Sequence, residues 1–185
     1  REPALMAFQV RVEHRVCLDV GSSTGGFTDA LLRRGARRVY ALDVGRGQLA
    51  ESLRHDPRVI SMERTHAARL DPAAADHVAL PEPIGLAVID VSFISLTRIL
   101  KGVVAALDPA RGEIIALVKP QFEAEPAYVP GGVVRDPQVR LAAVQRVTQF
   151  ARELGLRVRG EMQSPLIGPK GNVEYLVHLS TARPA

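Results

Sequence analysis

Short apolar runs alternate along the chain with longer stretches in which apolar positions recur at helical spacing. Residues 15–20 (Arg-Val-Cys-Leu-Asp-Val) predict a buried strand that ends at Gly21, and residues 25–34 an amphipathic helix with Phe27, Ala30 and Leu31 on one face. Strands follow at 38–43 and 58–61, separated by a short helix at 47–54. Residues 71–83, rich in Asp, Ala and Pro, predict a loop. A fourth strand at 86–90 leads into a helix over 95–107, whose Leu96, Ile99, Leu100, Val103, Val104 and Leu107 share one face. A fifth strand occupies 113–118. A Pro/Gly-rich excursion from Pro120 to Pro137 precedes a long helix at 138–153, with Leu141, Val144, Val147, Ala151 and Leu154 turned inward. Strands at 155–163 and 172–179 close the pattern, too near in sequence for a helix between them, and so are expected to pair antiparallel.

Strands around Leu18, Val39 and Val88 are apolar without alternation, as in a parallel sheet covered on both faces. Strand and helix in alternation make this an α/β fold, doubly wound, in one domain over residues 1–185. Composition agrees: 185 residues, 46% hydrophobic and 24% charged, suit one globular domain. No apolar run is long enough to span a bilayer, and no leader pattern opens the chain, so a cytoplasmic protein without a membrane partner is expected. The lone cysteine, Cys17, reads as a small core residue. A net charge of +4 permits an acidic partner such as RNA without requiring one. Only Lys101, Lys119 and Lys170 are lysines among the 24 cations, so a lysine at a strand tip carries more information than an arginine.

Ligands of open α/β sheets bind outside the carboxyl ends of the strands. The polar residues there are Asp19 and the loop Gly21-Ser-Ser-Thr-Gly25-Gly26, then Asp43, Asp90 and Lys119, with the segment Gly168–Glu174 preceding the last strand. In the loop, Ser23 takes the place of the middle glycine of a dinucleotide fingerprint, and no P-loop lysine follows. Asp19 just before it is unwelcome beside a pyrophosphate and suits a cationic amino group. Asp43 lies 22 residues after Gly21, where an acid at the end of the second strand accepts bonds from ribose hydroxyls. A nucleoside, an amino acid and no phosphate describe S-adenosylmethionine. Ser95 reads as the cap of the following helix, which leaves Asp90 free. The histidines show no metal-ligand spacing, Gly131-Gly132 reads as a turn, and neither G-x-S-x-G nor H-E-x-x-H occurs.

Five segments, in order and at fitting spacing, resemble the TlyA family of ribosomal RNA 2′-O-methyltransferases, whose catalytic domain is FtsJ-like and whose members are also called haemolysins. They are Asp19–Asp29, Asp90–Leu96, Leu117–Glu123, Gly131–Pro137 and Gly168–Tyr175. The resemblance implies a Rossmann-like class I methyltransferase fold with a mostly parallel seven-stranded sheet. It implies S-adenosylmethionine as cofactor, no metal, and methylation of a cytidine ribose 2′-hydroxyl in ribosomal RNA or ribosomal subunits. The cofactor residues it implies are Asp19, Gly21, Ser22, Thr24, Gly25, Gly26, Phe27, Asp43, Val44, Thr65 and Asp90. Of the family's Lys-Asp-Lys-Glu tetrad, Asp90, Lys119 and Glu174 match the last three members, and the first lysine falls at or just ahead of Arg1. The family's S4-type RNA-binding domain has no counterpart in these residues, so a catalytic domain alone is expected. His66 stands where the family tends to have asparagine.

The expected chemistry is in-line displacement at a sulfonium methyl by a ribose hydroxyl, a very weak acid that needs deprotonation or strong orientation. Lys119 would serve as general base or as a charge that stabilises the developing alkoxide, with Asp90 and Glu174 orienting it. Arg135, Arg140 and Lys170 are candidates to meet RNA phosphates. The competing expectation is a non-catalytic RNA- or ribosome-binding protein that keeps the methyltransferase fold.

Overall fold

The computed structural model describes residues 1–181. The strands are β1 (Val16–Val20), β2 (Arg38–Leu42), β3 (Val59–Met62), β4 (Leu86–Ile89), β5 (Glu113–Val118), β6 (Leu156–Gln163) and β7 (Tyr175–Thr181). They form one seven-stranded sheet in the order β3-β2-β1-β4-β5-β7-β6. β7 alone runs antiparallel, wedged between β5 and β6. The expected pairing of the last two strands is therefore found, but the later strand enters the sheet inside the earlier one.

The helices are α1 (Glu2–Ala7), α2 (Gly26–Arg33), α3 (Glu51–Arg54), α4 (Leu100–Ala106), α5 (Pro120–Glu123) and α6 (Pro137–Glu153). Two apolar clusters sandwich the sheet. One gathers Leu18, Ile89, Leu100, Val103, Val144 and Val147. The other gathers Leu5, Cys17, Phe27, Leu31, Val39 and Val88. Burial pushes the Cys17 thiol up to about 12, so it is an inert core group, as its strand position predicts.

Four expectations need correction. Residues 2–7 form a helix that the pattern did not predict; its Ala4 and Leu5 pack on the second cluster. The helix expected at 47–54 shrinks to α3, because side chains capture the amides ahead of it. Asp43 accepts from Ser23 and Gly45, and Glu63 accepts from Gly47. The helix expected at 95–107 is split into a 3-10 turn at Leu96–Arg98 and α4. There the Glu123 carboxylate takes the Leu96 amide and the Ser95 hydroxyl, capping the first turn from outside. In α6, Leu141 points outward and is 54% exposed; Ala143 and Thr148 take buried places beside Val144, Val147 and Ala151.

At the amino ends of the strands, Glu113 of β5 accepts from Arg15 and pairs with His178 of β7. These partners, His178 foremost, hold its carboxyl down at about 2. That edge is locked by ion pairs, while the carboxyl edge is left to loops. Strand order reverses between β1 and β4, so a crevice opens there.

Candidate active site

Gly21 turns the chain at the tip of β1. Its φ is +81°, and a Cβ there would stand 2.1 Å from the Asp90 carbonyl oxygen. Its amide donates to Leu42 at 2.9 Å. The absence of a side chain thus lets the loop after β1 lie against both the end of β2 and the end of β4.

A cleft of about 440 Å³ opens at this junction. Gly21, Asp43, Val44, Thr65, His66, Asp90 and Phe93 are among its walls. Its volume falls in the range of small-molecule sites. Asp43 is already oriented: its carboxylate accepts from Ser23 at 2.7 Å and from Gly45 at 2.8 Å. Each oxygen keeps a lone pair for a ligand hydroxyl. Thr65 is buried and donates to the Glu63 carbonyl, while Val44 is 67% exposed at the rim.

A second cavity, of about 260 Å³, lies on the other side of Asp90. Arg1, Phe27, Asp90, Lys119, Gly168 and Glu174 line it. Asp90 is common to both cavities. Lys119 Nζ sits 2.6 Å from Asp90 Oδ1, each side chain only 12% exposed. The ammonium also donates to the Ser92 hydroxyl at 3.2 Å. Arg1 reaches the other Asp90 oxygen at 3.5 Å and lies 5.3 Å over the Phe27 ring. Arg1 and Lys119 thus share the Asp90 carboxylate.

One helical turn organises this cluster. Lys119 precedes α5 and grips Asp90; Gln121 donates to Glu174 at 2.8 Å; Phe122 packs on Phe93 with centroids 4.9 Å apart; Glu123 caps residues 95–96. Pro120 at the first helical position starts the turn. Burial raises the Glu123 carboxyl above its ordinary range, against the pull of Ser95 and Leu96.

The predicted site residues divide. Asp90, Lys119 and Glu174 come together at the second cavity, with Phe27 in its wall. Gly21, Asp43, Val44 and Thr65 line the first. Asp19 lines neither. It is wholly buried, bonded through Oδ2 to Thr28 at 2.7 Å, with Oδ1 lacking a partner. Burial pushes its carboxyl up to about 7, and nearby Asp90 adds to the rise. Ser22 is buried, Thr24 is exposed and accepts from the Ala50 amide, and Gly25 and Gly26 start α2, where a Cβ would meet Leu53 or Arg1. Ser95 caps its turn as expected, leaving Asp90 free for Lys119. Asn172 bonds to Val134, Gly132 and Pro169, which joins the 130–134 loop to the loop before β7.

Sequence reasoning passed over Ser92, Phe93 and Gln121. Phe93 is 89% exposed with a φ of +65°, a strained backbone for an aromatic residue. The available signal was position: all three lie within three residues of Asp90 or Lys119.

The FtsJ-like methyltransferase pattern matches residues 3–181. The chain belongs to that family. Within this family it is of the TlyA kind. It is 51% identical over 179 residues to the 16S/23S rRNA (cytidine-2′-O)-methyltransferase TlyA of Mycobacterium tuberculosis, a match covering 96% of this chain and 65% of that relative. The chain therefore spans just under two thirds of the relative's length. A solved structure from Streptococcus thermophilus, provisionally named a hemolysin, superposes with a TM-score of 0.91 at 42% identity, covering 99% of this chain and 65% of the other. The S-adenosylmethionine-dependent methyltransferase of Mesorhizobium loti shares the fold, with a TM-score of 0.64 at 17% identity over 96% of this chain and 95% of its own. Among the described residues no helix is long and apolar enough to cross a membrane, and no three His, Cys, Asp or Glu residues are grouped to hold a metal ion.

Proposed function

We propose that this chain transfers a methyl group from S-adenosylmethionine to the 2′-hydroxyl of a cytidine ribose in ribosomal RNA, working in the cytoplasm. The observation that carries the reading is the meeting of two cavities at Asp90, with Lys119 held against it. One cavity suits the cofactor, the other the acceptor.

S-adenosylmethionine supplies a methyl group already activated on a sulfonium. The first cleft fits it: Asp43 offers lone pairs to ribose hydroxyls, and Gly21 leaves backbone exposed where a side chain would block the approach. Asp19 acts from within β1, its unpaired oxygen a hydrogen-bond acceptor beneath the loop. In the second cavity, Lys119 holds the acceptor oxygen. Paired with Asp90 at 2.6 Å, its ammonium is a fixed positive charge facing the oxyanion that grows as the hydroxyl proton passes to solvent water, before that oxygen takes the methyl group. Glu174 orients the acceptor from the opposite wall. Phe93, exposed at the rim of the first cleft three residues after Asp90 and backed by Phe122, offers a stacking face for a base swung out of the RNA. Exposed Arg135 and Lys170 flank the second cavity's loop as phosphate contacts; Arg140 is half-buried and partly committed to the Val134 carbonyl.

The test has two arms. Calorimetry with S-adenosylhomocysteine should show binding that Asp43→Ala weakens at least tenfold. Methyl transfer to ribosomal subunits should fall by roughly 10²–10⁴-fold in Lys119→Ala, the range of a lost acid–base or charge-stabilising group. Full turnover in that variant would refute the assignment. Binding of S-adenosylhomocysteine and RNA without any transfer would favour the non-catalytic alternative.

A further inference from the structure

Glu174 is nearly buried at the edge of the second cavity, and among the described residues its carboxylate receives one side-chain hydrogen bond, from Gln121 Nε2 at 2.8 Å. No cation pairs with it there. The amide can face Glu174 only this way round, since turning it would set two acceptor oxygens against each other. In this orientation Gln121 Oε1 is buried with no partner at all. An orphaned buried acceptor destabilises the fold, and an apolar side chain of similar size would avoid that loss. A glutamine held in a position unfavourable to half of its own amide is there for the other half.

The surroundings leave Glu174 little else to hold it. A Cβ at Gly168 would fall 2.6 Å from Glu174 Oε2, so the loop before β7 crosses directly over that oxygen without donating to it. Gln121 reaches the same oxygen from the turn that directly follows Lys119. This short segment, residues 119–123, therefore carries the cation and, through one amide, holds the carboxylate that lines the same cavity.

We infer that Gln121 is a positioning residue for methyl transfer, fixing the Glu174 carboxylate in register with Lys119. This rests on the function proposed above, since Glu174 must face the acceptor for its orientation to matter. Gln121 does not line the cavity and is not itself expected to touch RNA.

Two variants separate positioning from packing. Gln121→Glu keeps the shape and replaces the donor by an acceptor facing Glu174; Gln121→Leu removes the donor and the orphaned oxygen together. Positioning predicts kcat in the order wild type, then Gln121→Leu, then Gln121→Glu. Gln121→Leu should lie roughly 10- to 100-fold below wild type, the effect of one hydrogen bond to a charged group. Affinity for S-adenosylhomocysteine should not change in either. Packing alone predicts Gln121→Glu above Gln121→Leu, because glutamate is the closer match in shape, and that result or a wild-type kcat in Gln121→Leu would overturn the inference. A second reading needs no turnover. In ¹⁵N–¹H spectra of the chain, one Gln121 side-chain proton should lie downfield and exchange slowly, and the signature should vanish in Glu174→Ala. Its absence from the wild type overturns the inference even if methyl transfer is intact. Its presence in a chain that transfers no methyl group would instead place the failure with the proposed reaction.

Discussion

The tightest packing constraint at the site is at Gly21, and it can be separated from backbone strain. Gly21→Ala meets two costs. Its φ of +81° is left-handed, which for an L side chain costs about 1–2 kcal/mol. The new Cβ would also lie 2.1 Å from the Asp90 carbonyl oxygen, over 1 Å inside ordinary contact. That atom is backbone, so no rotamer change relieves the overlap; overpacking of this kind adds about 1–3 kcal/mol. Gly155, after α6, supplies the control. Its φ is +86°, and nothing lies within 4 Å of its would-be Cβ. Gly155→Ala should therefore lose only the conformational share, about 1–2 kcal/mol, and Gly21→Ala about 2–5 kcal/mol. In a domain of this size that is roughly 2–8 °C and 4–20 °C in Tm. Urea and thermal unfolding would give the difference, and calorimetry with S-adenosylhomocysteine its functional side. Gly21→Ala must push Asp90 away from the loop and should weaken binding severely, while Gly155→Ala should leave it untouched. Equal destabilisation of the two variants, or wild-type affinity in Gly21→Ala, would refute the close-approach argument.

Asp19 titrates near 7 when folded and near 3.8 when unfolded, because burial disfavours its charge. The native state binds the extra proton between those values, so stability should fall as pH rises from about 4 to 7, by a few kcal/mol in total, and Asp19→Asn should flatten that slope. Glu113 has the opposite sign. Its folded carboxyl is held near 2 against 4.5 unfolded, so its contribution is full above about 4.5 and disappears as pH falls toward 2. Denaturant midpoints of Glu113→Gln across that acid range should drop less than those of wild type; an unchanged acid limb would remove Glu113 as its cause. Phe93→Ala should lower methyl transfer to RNA roughly 5- to 100-fold, the worth of one stacked base, with S-adenosylhomocysteine affinity less affected. A variant equal to wild type on RNA would discard the stacking role.

The α/β class, the parallel strands and the edge where the two cavities open were legible in the chain because they rest on periodicity. Runs such as Leu86–Ile89 are apolar on both faces only if both faces are covered. The acids and the lysine could be placed in advance because the parallel strands of an open sheet present their carboxyl ends at one edge, so Asp43, Asp90 and Lys119 needed only their strands to be recognised. Helix boundaries at 47–54 and 95–107 failed for one shared reason: carboxylates distant in sequence, Glu63 or Glu123, took the Gly47 and Leu96 amides that local propensity would have given to a helix. Asp19 shows the same limit at a single residue. Its charge and position were visible, but that it is sealed beneath the loop with one oxygen bare is a matter of what packs over it. The partners of the site, Ser92, Phe93 and Gln121, had only their nearness to Asp90 and Lys119 to mark them, since nothing in their residue types shows what they touch. Sequence determined which chemistry-bearing residues arrive at the sheet edge, because the hydrophobic pattern marks each strand and the polar residue at which it ends. Tertiary structure alone decided which of them touch, because hydrogen bonds such as that from Gln121 to Glu174 join residues far apart in the chain, and no local pattern encodes a distance across a fold.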